Sequence, residues 1–240
     1  MNIDNVMLHK AIGGLLIITV LISAFNMYQV IGFENKQKSH MTSMQLSQGS
    51  SQTALAAGGN AAPVAVQGPD VTPRGIPDIY GKELGISFDD VSATNPKKAD
   101  ATIRTLGALD TQIRISGPSL ERYIAVASQI SCEYCCGADS IITPNGEAAC
   151  GCAHSFAMRG LAKYLITKHG SEYTNDEILE ELGKWKTLFF PGKISAKAAV
   201  LQDKGIELSY INLASNKYRG IEAEAQPKRG SGSGGQVGGC

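Results

Sequence analysis

Five of the chain's six cysteines fall within 21 residues, Cys132, Cys135, Cys136, Cys150 and Cys152, and His154 follows two positions later. Written as spacing, the block is C-x2-C-C-x13-C-x-C-x-H. Two residues between Cys132 and Cys135 let both sulfurs converge on one point, the short chelate loop of zinc knuckles and of redox dithiols. Cys150-x-Cys152-x-His154 adds a compact thiolate and imidazole set that also suits copper. Between the two clusters, Ile141-Ile142-Thr143-Pro144-Asn145-Gly146-Glu147 places Asn-Gly between apolar residues. That is a hairpin signal, and a hairpin here folds the second cluster back onto the first.

Three chemistries compete for these groups. Six soft or borderline donors exceed the four of a tetrahedral zinc site, whereas two metals sharing thiolates, or an iron-sulfur cluster on four cysteines, use more of them. We expect a transition metal on Cys132, Cys135, Cys150 and Cys152, with Cys136 and His154 as extra or exchanging ligands. Zinc in a closed structural site is the conservative assignment; copper or an iron-sulfur cluster handling electrons is the sharper one. Pure disulfide stapling meets an odd count: five cysteines lie in the block and Cys240 lies in a Gly-rich run, so full pairing must recruit that run or leave one thiol over. The third chemistry is thiol-disulfide exchange through Cys132 and Cys135, which needs a lowered thiolate pKa. The alternatives to a metal-binding protein are thus an extracytoplasmic thiol-disulfide oxidoreductase and a disulfide-stapled, non-catalytic surface protein. No nucleophile triad, Walker loop or dinucleotide fingerprint is present, so the reading leans away from an enzyme and names no catalytic residue.

Other polar residues read more plainly. His169 beside Gly170 suits a helix C-terminus. Trp185 at helical spacing belongs to a core. Arg159 either faces an anionic thiolate centre or lies on the surface, and Glu133 adjoins Cys132 with no visible partner to make it a general base.

The elements that must position the block are helices. Asn95-Pro96 caps and opens one with Ala99, Ile103, Leu106 and Leu109 or Asp110 at spacings of three and four. Pro118 opens a second whose face, Leu120, Tyr123, Ile124, Ala127 and Ile130, delivers the chain to Cys132. Ser155 is the expected cap of a third, which ends at Gly170. Thr174-Asn175-Asp176-Glu177 is a capping box for a fourth, with Ile178, Leu179, Leu182 and Trp185 inward and Pro191-Gly192 as its stop. Ile194 to Lys204 is a fifth, and Ile206, Leu208 and Tyr210 alternate as in a short strand. The fold class is mainly α, a small helical domain carrying a cysteine-rich β-hairpin or knuckle.

Around this domain the organisation is a tail at 1–10, a transmembrane helix at 11–33, a low-complexity linker at 34–75, the cysteine-rich helical domain at 76–213 and a disordered Gly-rich tail at 214–240. The run from Ala11 to Phe33 carries no charge and reaches roughly 30 Å as a helix, enough to cross a hydrocarbon core. Its length favours an uncleaved signal anchor over a cleaved signal peptide, so the lipid bilayer is the expected partner. Lys plus Arg equal Asp plus Glu at 22 each, which leaves no field to draw the protein to nucleic acid. Lys10 before the span and Lys36 and Lys38 after it leave the orientation open by charge alone.

Two families share pieces of the pattern. Ala149-Cys150-Gly151-Cys152-Ala153-His154 resembles, through Cys150-Gly151-Cys152, the core of membrane-associated proteins named for a PCYCGC motif. The stretch from about Cys132 to Gly192 is similar to the CcmH-type thiol-oxidoreductase subunit of cytochrome c maturation. There a C-x2-C pair precedes a Ser-led helix containing Arg, a Gly-Ser turn, an Asp-Glu-Ile segment and a Pro, matched here by Cys132 and Cys135, Ser155 to Arg159, Gly170-Ser171, Asp176-Glu177-Ile178 and Pro191. That resemblance implies a membrane-anchored helical bundle displayed on the extracytoplasmic side, with Cys132 and Cys135 as a redox pair. Cys136 and Cys150-x-Cys152-x-His154 are additions to the CcmH-type pattern.

Overall fold

Residues 68–225 and 235–238 are described by the structure, a computed structural model. The helices are α1 (Gly81–Leu84), α2 (Pro96–Gln112), α3 (Gly117–Ala127), α4 (Ala153–Lys168), α5 (Asn175–Phe189), α6 (Pro191–Asp203) and α7 (Tyr210–Ala214), with 3-10 turns at Phe88–Asp90, Asn216–Tyr218 and Ile221–Glu224. Their starts follow the expected capping chemistry. Asn95 accepts from the Lys98 N–H with Pro96 in the first turn of α2, and the Thr174–Glu177 box of α5 is closed in both directions. Pro191 opens α6 directly after Phe190, so the break expected at Pro191-Gly192 is a corner and α6 begins three residues before Ile194. Proline ends one helix and starts the next because its fixed φ suits a first turn.

The core forms where these helices meet. α2 lies against α4 at a backbone approach that only glycine permits: a Cβ on Gly160 would stand 2.0 Å from the Leu106 carbonyl oxygen and 2.9 Å from the Asp110 nitrogen. α5 carries Ile178, Leu179, Leu182 and Trp185, all buried, as its apolar stripe requires. Trp185 donates its Nε1–H to the Tyr80 hydroxyl at 2.7 Å, and Tyr80 donates in turn to Glu181 at 2.8 Å. The Phe88 ring packs on Trp185 at 5.0 Å between centroids. The segment before α2 is thereby fastened to α5 by a buried polar chain as well as by apolar area.

Several expectations are corrected. Among the described residues there is no β-strand. The Asn-Gly segment does reverse the chain, with Thr143 N–H to Glu147 O at 2.8 Å and a single antiparallel bridge Ile142–Ala148, but no ladder extends from it. Cys150 and Cys152 draw the chain away towards the start of α4 before a second pair of residues can add to it. Residues 206–209 have no regular structure and Tyr210 begins α7, where Ser209 caps the helix through the Asn212 N–H. Ile206, Leu208 and Tyr210 are all partly buried against the core, Tyr210 where its backbone closely approaches Gly183 of α5. Ordered structure extends beyond 76–213 at both ends: Gly68 packs against Ser195, and the residues from 214 to 225, expected to be tail, follow from the last residue of α7 into two 3-10 turns. Val237 is buried too; Gly-rich composition hides its one apolar anchor. No helix among the described residues is long and apolar enough to cross a membrane, and the expected span at 11–33 lies outside them.

Candidate metal centre

α3 delivers the first cysteine cluster and α4 receives the second. After Ala127 the chain passes Ile130, which bridges to Ser215, and turns at Cys132, whose carbonyl accepts from both the Cys135 and Cys136 N–H groups at 3.2 Å. Ile141 N–H donates to Ile130 O at 3.0 Å and Ala149 N–H to Ile141 O at 3.2 Å, which lays the returning segment beside the outgoing one. The two clusters meet, as expected. The cap of α4 is Cys152 and not Ser155: the Cys152 sulfur accepts from the Ser155 N–H at 3.3 Å. A sulfur is thus set at the positive end of a sixteen-residue helix, where negative charge is favoured.

The six expected ligands divide. Cys136 and Cys150 are joined as a disulfide. Cys132, Cys135 and Cys152 hold their sulfurs within 4.8 Å of one another, and Cys132 lies equally within 4.8 Å of Cys136 and Cys150. Cys132 is wholly buried, and its sulfur is 3.0 Å from that of Cys152. The neighbouring Cys132 sulfur and burial push the Cys152 thiol up to about 12, against the pull of His154 and the Ser155 N–H.

His154 is wholly buried, its ring 4.7 Å from that of Phe189 and 5.0 Å from that of Phe190. Its Nε2 lies 2.8 Å from the Val237 carbonyl oxygen. A carbonyl can only accept, so the network assigns the proton to Nε2 and the lone pair to Nδ1, which makes no hydrogen bond of good geometry.

Behind Cys132 stands a charge cluster. Glu133 is 3.0 Å from Lys186, 3.6 Å from Lys197 and 3.3 Å from Arg219. Both lysines are 0% exposed, and Lys197 also lies 3.8 Å from Glu222. Burial pulls the Lys186 ammonium down to about 8, with Glu133 and Cys132 pulling it back up. Glu133, expected to be without a partner, is therefore held by three cations and has no freedom to act as a base. Arg159 is buried, paired with Asp110 at 2.8 Å, and its Nη1 donates to the carbonyls of Ile141 (3.2 Å) and Cys150 (2.9 Å) and to Ser155 Oγ (2.7 Å). It fits neither expected role: it faces a carboxylate and binds the cysteine loop by its backbone. His169 caps α4 as expected, between Glu83 and Glu172.

Lys186, Lys197 and Arg219 are absent from the sequence-based site. The first two carry a readable signal, since Lys186 follows Leu182 by four on the stripe of α5 and Lys197 sits three after Ile194 and four before Leu201. Arg219 carries none. No family model, curated protein or solved structure matches the chain.

Proposed function

We propose that this protein binds a thiophilic transition metal through Cys132, Cys135 and Cys152, in a site braced by the Cys136–Cys150 disulfide. The observation that carries the reading is the convergence of three sulfurs from two chain segments within 4.8 Å. At a zinc-sulfur distance of about 2.3 Å the sulfurs of a tetrahedral site stand about 3.8 Å apart, inside the 4.8 Å that bounds the set but wider than the 3.0 Å between Cys132 and Cys152, a pair that must open to take the ion. Lys186, bonded at 3.0 Å to Glu133, the neighbour of Cys132, supplies positive charge behind the site. The brace closes a loop of separation 14, which in the chain-entropy account contributes about 3 kcal/mol. Full burial of Cys132 and the immobilised Glu133 favour a structural or storage site over a catalytic one, with zinc the simplest occupant. A disulfide beside metal-bound thiolates suits an oxidising compartment, and the uncharged run 11–33 supports display from a bilayer, which we propose as the protein's place.

A second reading rests on the 3.0 Å between the sulfurs of Cys132 and Cys152. On it these two close a further disulfide, nested outside Cys136–Cys150, and the domain is stapled without metal. Elemental analysis of the full chain, extracted in detergent and purified anaerobically without affinity-column metals, separates the two. One equivalent of metal, with Cys136–Cys150 as the linkage found by peptide mapping, is the expected result. A metal-free protein with Cys132 linked to Cys152 refutes the metal site.

A further inference from the structure

Cys132 belongs to two sulfur groups at once. It lies within 4.8 Å of Cys135 and Cys152, the set proposed above to hold a metal, and within 4.8 Å of Cys136 and Cys150, the two halves of the disulfide. A thiol beside a disulfide is the arrangement from which exchange starts. The three sulfurs of the second group are not equally placed. Cys132 is wholly buried and Cys150 is 8% exposed, whereas Cys136 is exposed. Cys150 is also fastened, its carbonyl accepting from Arg159 Nη1 at 2.9 Å. Cys136 ends a turn closed on the Cys132 carbonyl, and no atom stands within 4 Å of where a Cβ would lie on Gly137 after it.

Exchange releases a thiolate, and a thiolate is better tolerated in water than among apolar groups. Attack on Cys150 therefore costs less than attack on Cys136, because the sulfur that leaves is then the one at the surface. We infer that Cys132 is an exchange nucleophile towards the Cys136–Cys150 disulfide, and that a metal on Cys132, Cys135 and Cys152 holds it in check. In the step the Cys132 thiolate attacks the Cys150 sulfur. The Cys132–Cys150 bond forms as Cys136–Cys150 breaks, and the electron pair leaves on Cys136, which takes up the proton that Cys132 has given to solvent. One disulfide replaces another, so neither oxidant nor reductant is consumed. Joining Cys132 to Cys152, nearer at 3.0 Å, would instead require the removal of two electrons. The separation of the linked residues changes only from 14 to 18, so loop entropy scarcely prefers either linkage. Occupancy of Cys132 then decides. A bound ion takes the sulfur lone pair that attack requires, and its loss converts the metal site into a domain presenting Cys136 as a new surface thiol. The gating half of this inference rests on the metal reading above; the exchange half does not.

The test uses the full chain in detergent, kept anaerobic with and without zinc, with exchange stopped by acid and free thiols trapped by N-ethylmaleimide before peptide mapping. The metal-free protein should acquire the Cys132–Cys150 linkage, with Cys136 trapped as a free thiol, over minutes to hours. Its rate should be unchanged on dilution, which marks the step as intramolecular. Zinc should slow the conversion by about tenfold or more, and Cys132→Ala, its fold checked by circular dichroism, should abolish it. A metal-free parent that keeps Cys136–Cys150 alone, or a rate that falls on dilution, overturns the exchange whether or not Cys132→Ala folds. Equal rates with and without bound zinc overturn the gating. A parent that binds no zinc yet exchanges overturns the metal reading while the exchange stands.

Discussion

The Arg159–Asp110 pair joins the three parts that make the site: α2 through Asp110, α4 through Arg159, and the cysteine loop through the Ile141 and Cys150 carbonyls. Asp110→Ala leaves a guanidinium that is 1% exposed without its counter-charge, while Lys163, the other cation on Asp110, is 15% exposed and can turn to water. Removing one partner of a buried pair costs about 3–5 kcal/mol. Arg159 keeps three neutral acceptors, which places the expected loss near the lower end, about 3 kcal/mol, or a fall in Tm of about 6–12 °C for a domain of this size. Urea unfolding of the full chain followed by circular dichroism measures it. Arg159→Met added to Asp110→Ala should recover part of the loss, because the stranded charge is then gone. A loss below about 1 kcal/mol for Asp110→Ala, or simple additivity in the double variant, would refute the claim that charge compensation at this junction holds the loop to the helices.

Two further outcomes test the packing and the electrostatics. Gly160→Ala drives a methyl group into the Leu106 carbonyl oxygen, 2.0 Å away. Separating α2 from α4 to relieve it should cost about 3 kcal/mol, the upper part of the range for overpacking, as read in the same urea experiment. At His169 burial lowers the pKa, but hydrogen bonds and charge from Glu172 and Glu83 outweigh it and the net shift is upward; Tyr164, stacked at 5.5 Å, is the other titratable group facing the ring. A raised folded pKa means the stabilisation is complete below the unfolded value, near 6.5, and is lost as pH rises through the folded value. Thermal melts across that window should decline with pH in the parent and flatten in His169→Gln; equal slopes would remove His169 as the cause.

The helices were legible because their starts are written in short-range chemistry. Asn95-Pro96 and the Thr174–Glu177 box satisfy backbone donors within four residues of themselves, so no tertiary information is needed to place them. Convergence of the two cysteine clusters was equally local, resting on the turn at Asn145-Gly146. What escaped was set across the fold. Cys152 displaces Ser155 as cap because the incoming loop holds the Cys152 sulfur over the first turn of α4. Pairing of Cys136 with Cys150, leaving Cys132, Cys135 and Cys152 as the second set, depends on the angle at which α3 and α4 present their ends, which spacing does not encode. Asp110 stands in step with Ile103 and Leu106 on the buried stripe of α2, whereas its partner Arg159 lies on the facing helix, a pairing that periodicity does not encode.

The burial of Lys186 and Lys197 behind Glu133 gives the domain a chemical record of its own openings. Both amines are sealed while the loop that begins at Cys132 is in place, and that loop carries the carboxylate that neutralises them. The Ala214 carbonyl on Lys186 at 2.8 Å and Glu222 beside Lys197 at 3.8 Å cover them from the other side, so an amine-reactive reagent reaches them only in molecules opened at this junction, and their rate of modification follows the population of that open form. Any event that secures the sulfurs, whether coordination or oxidation, is therefore registered directly behind them as protection of two lysines on α5 and α6.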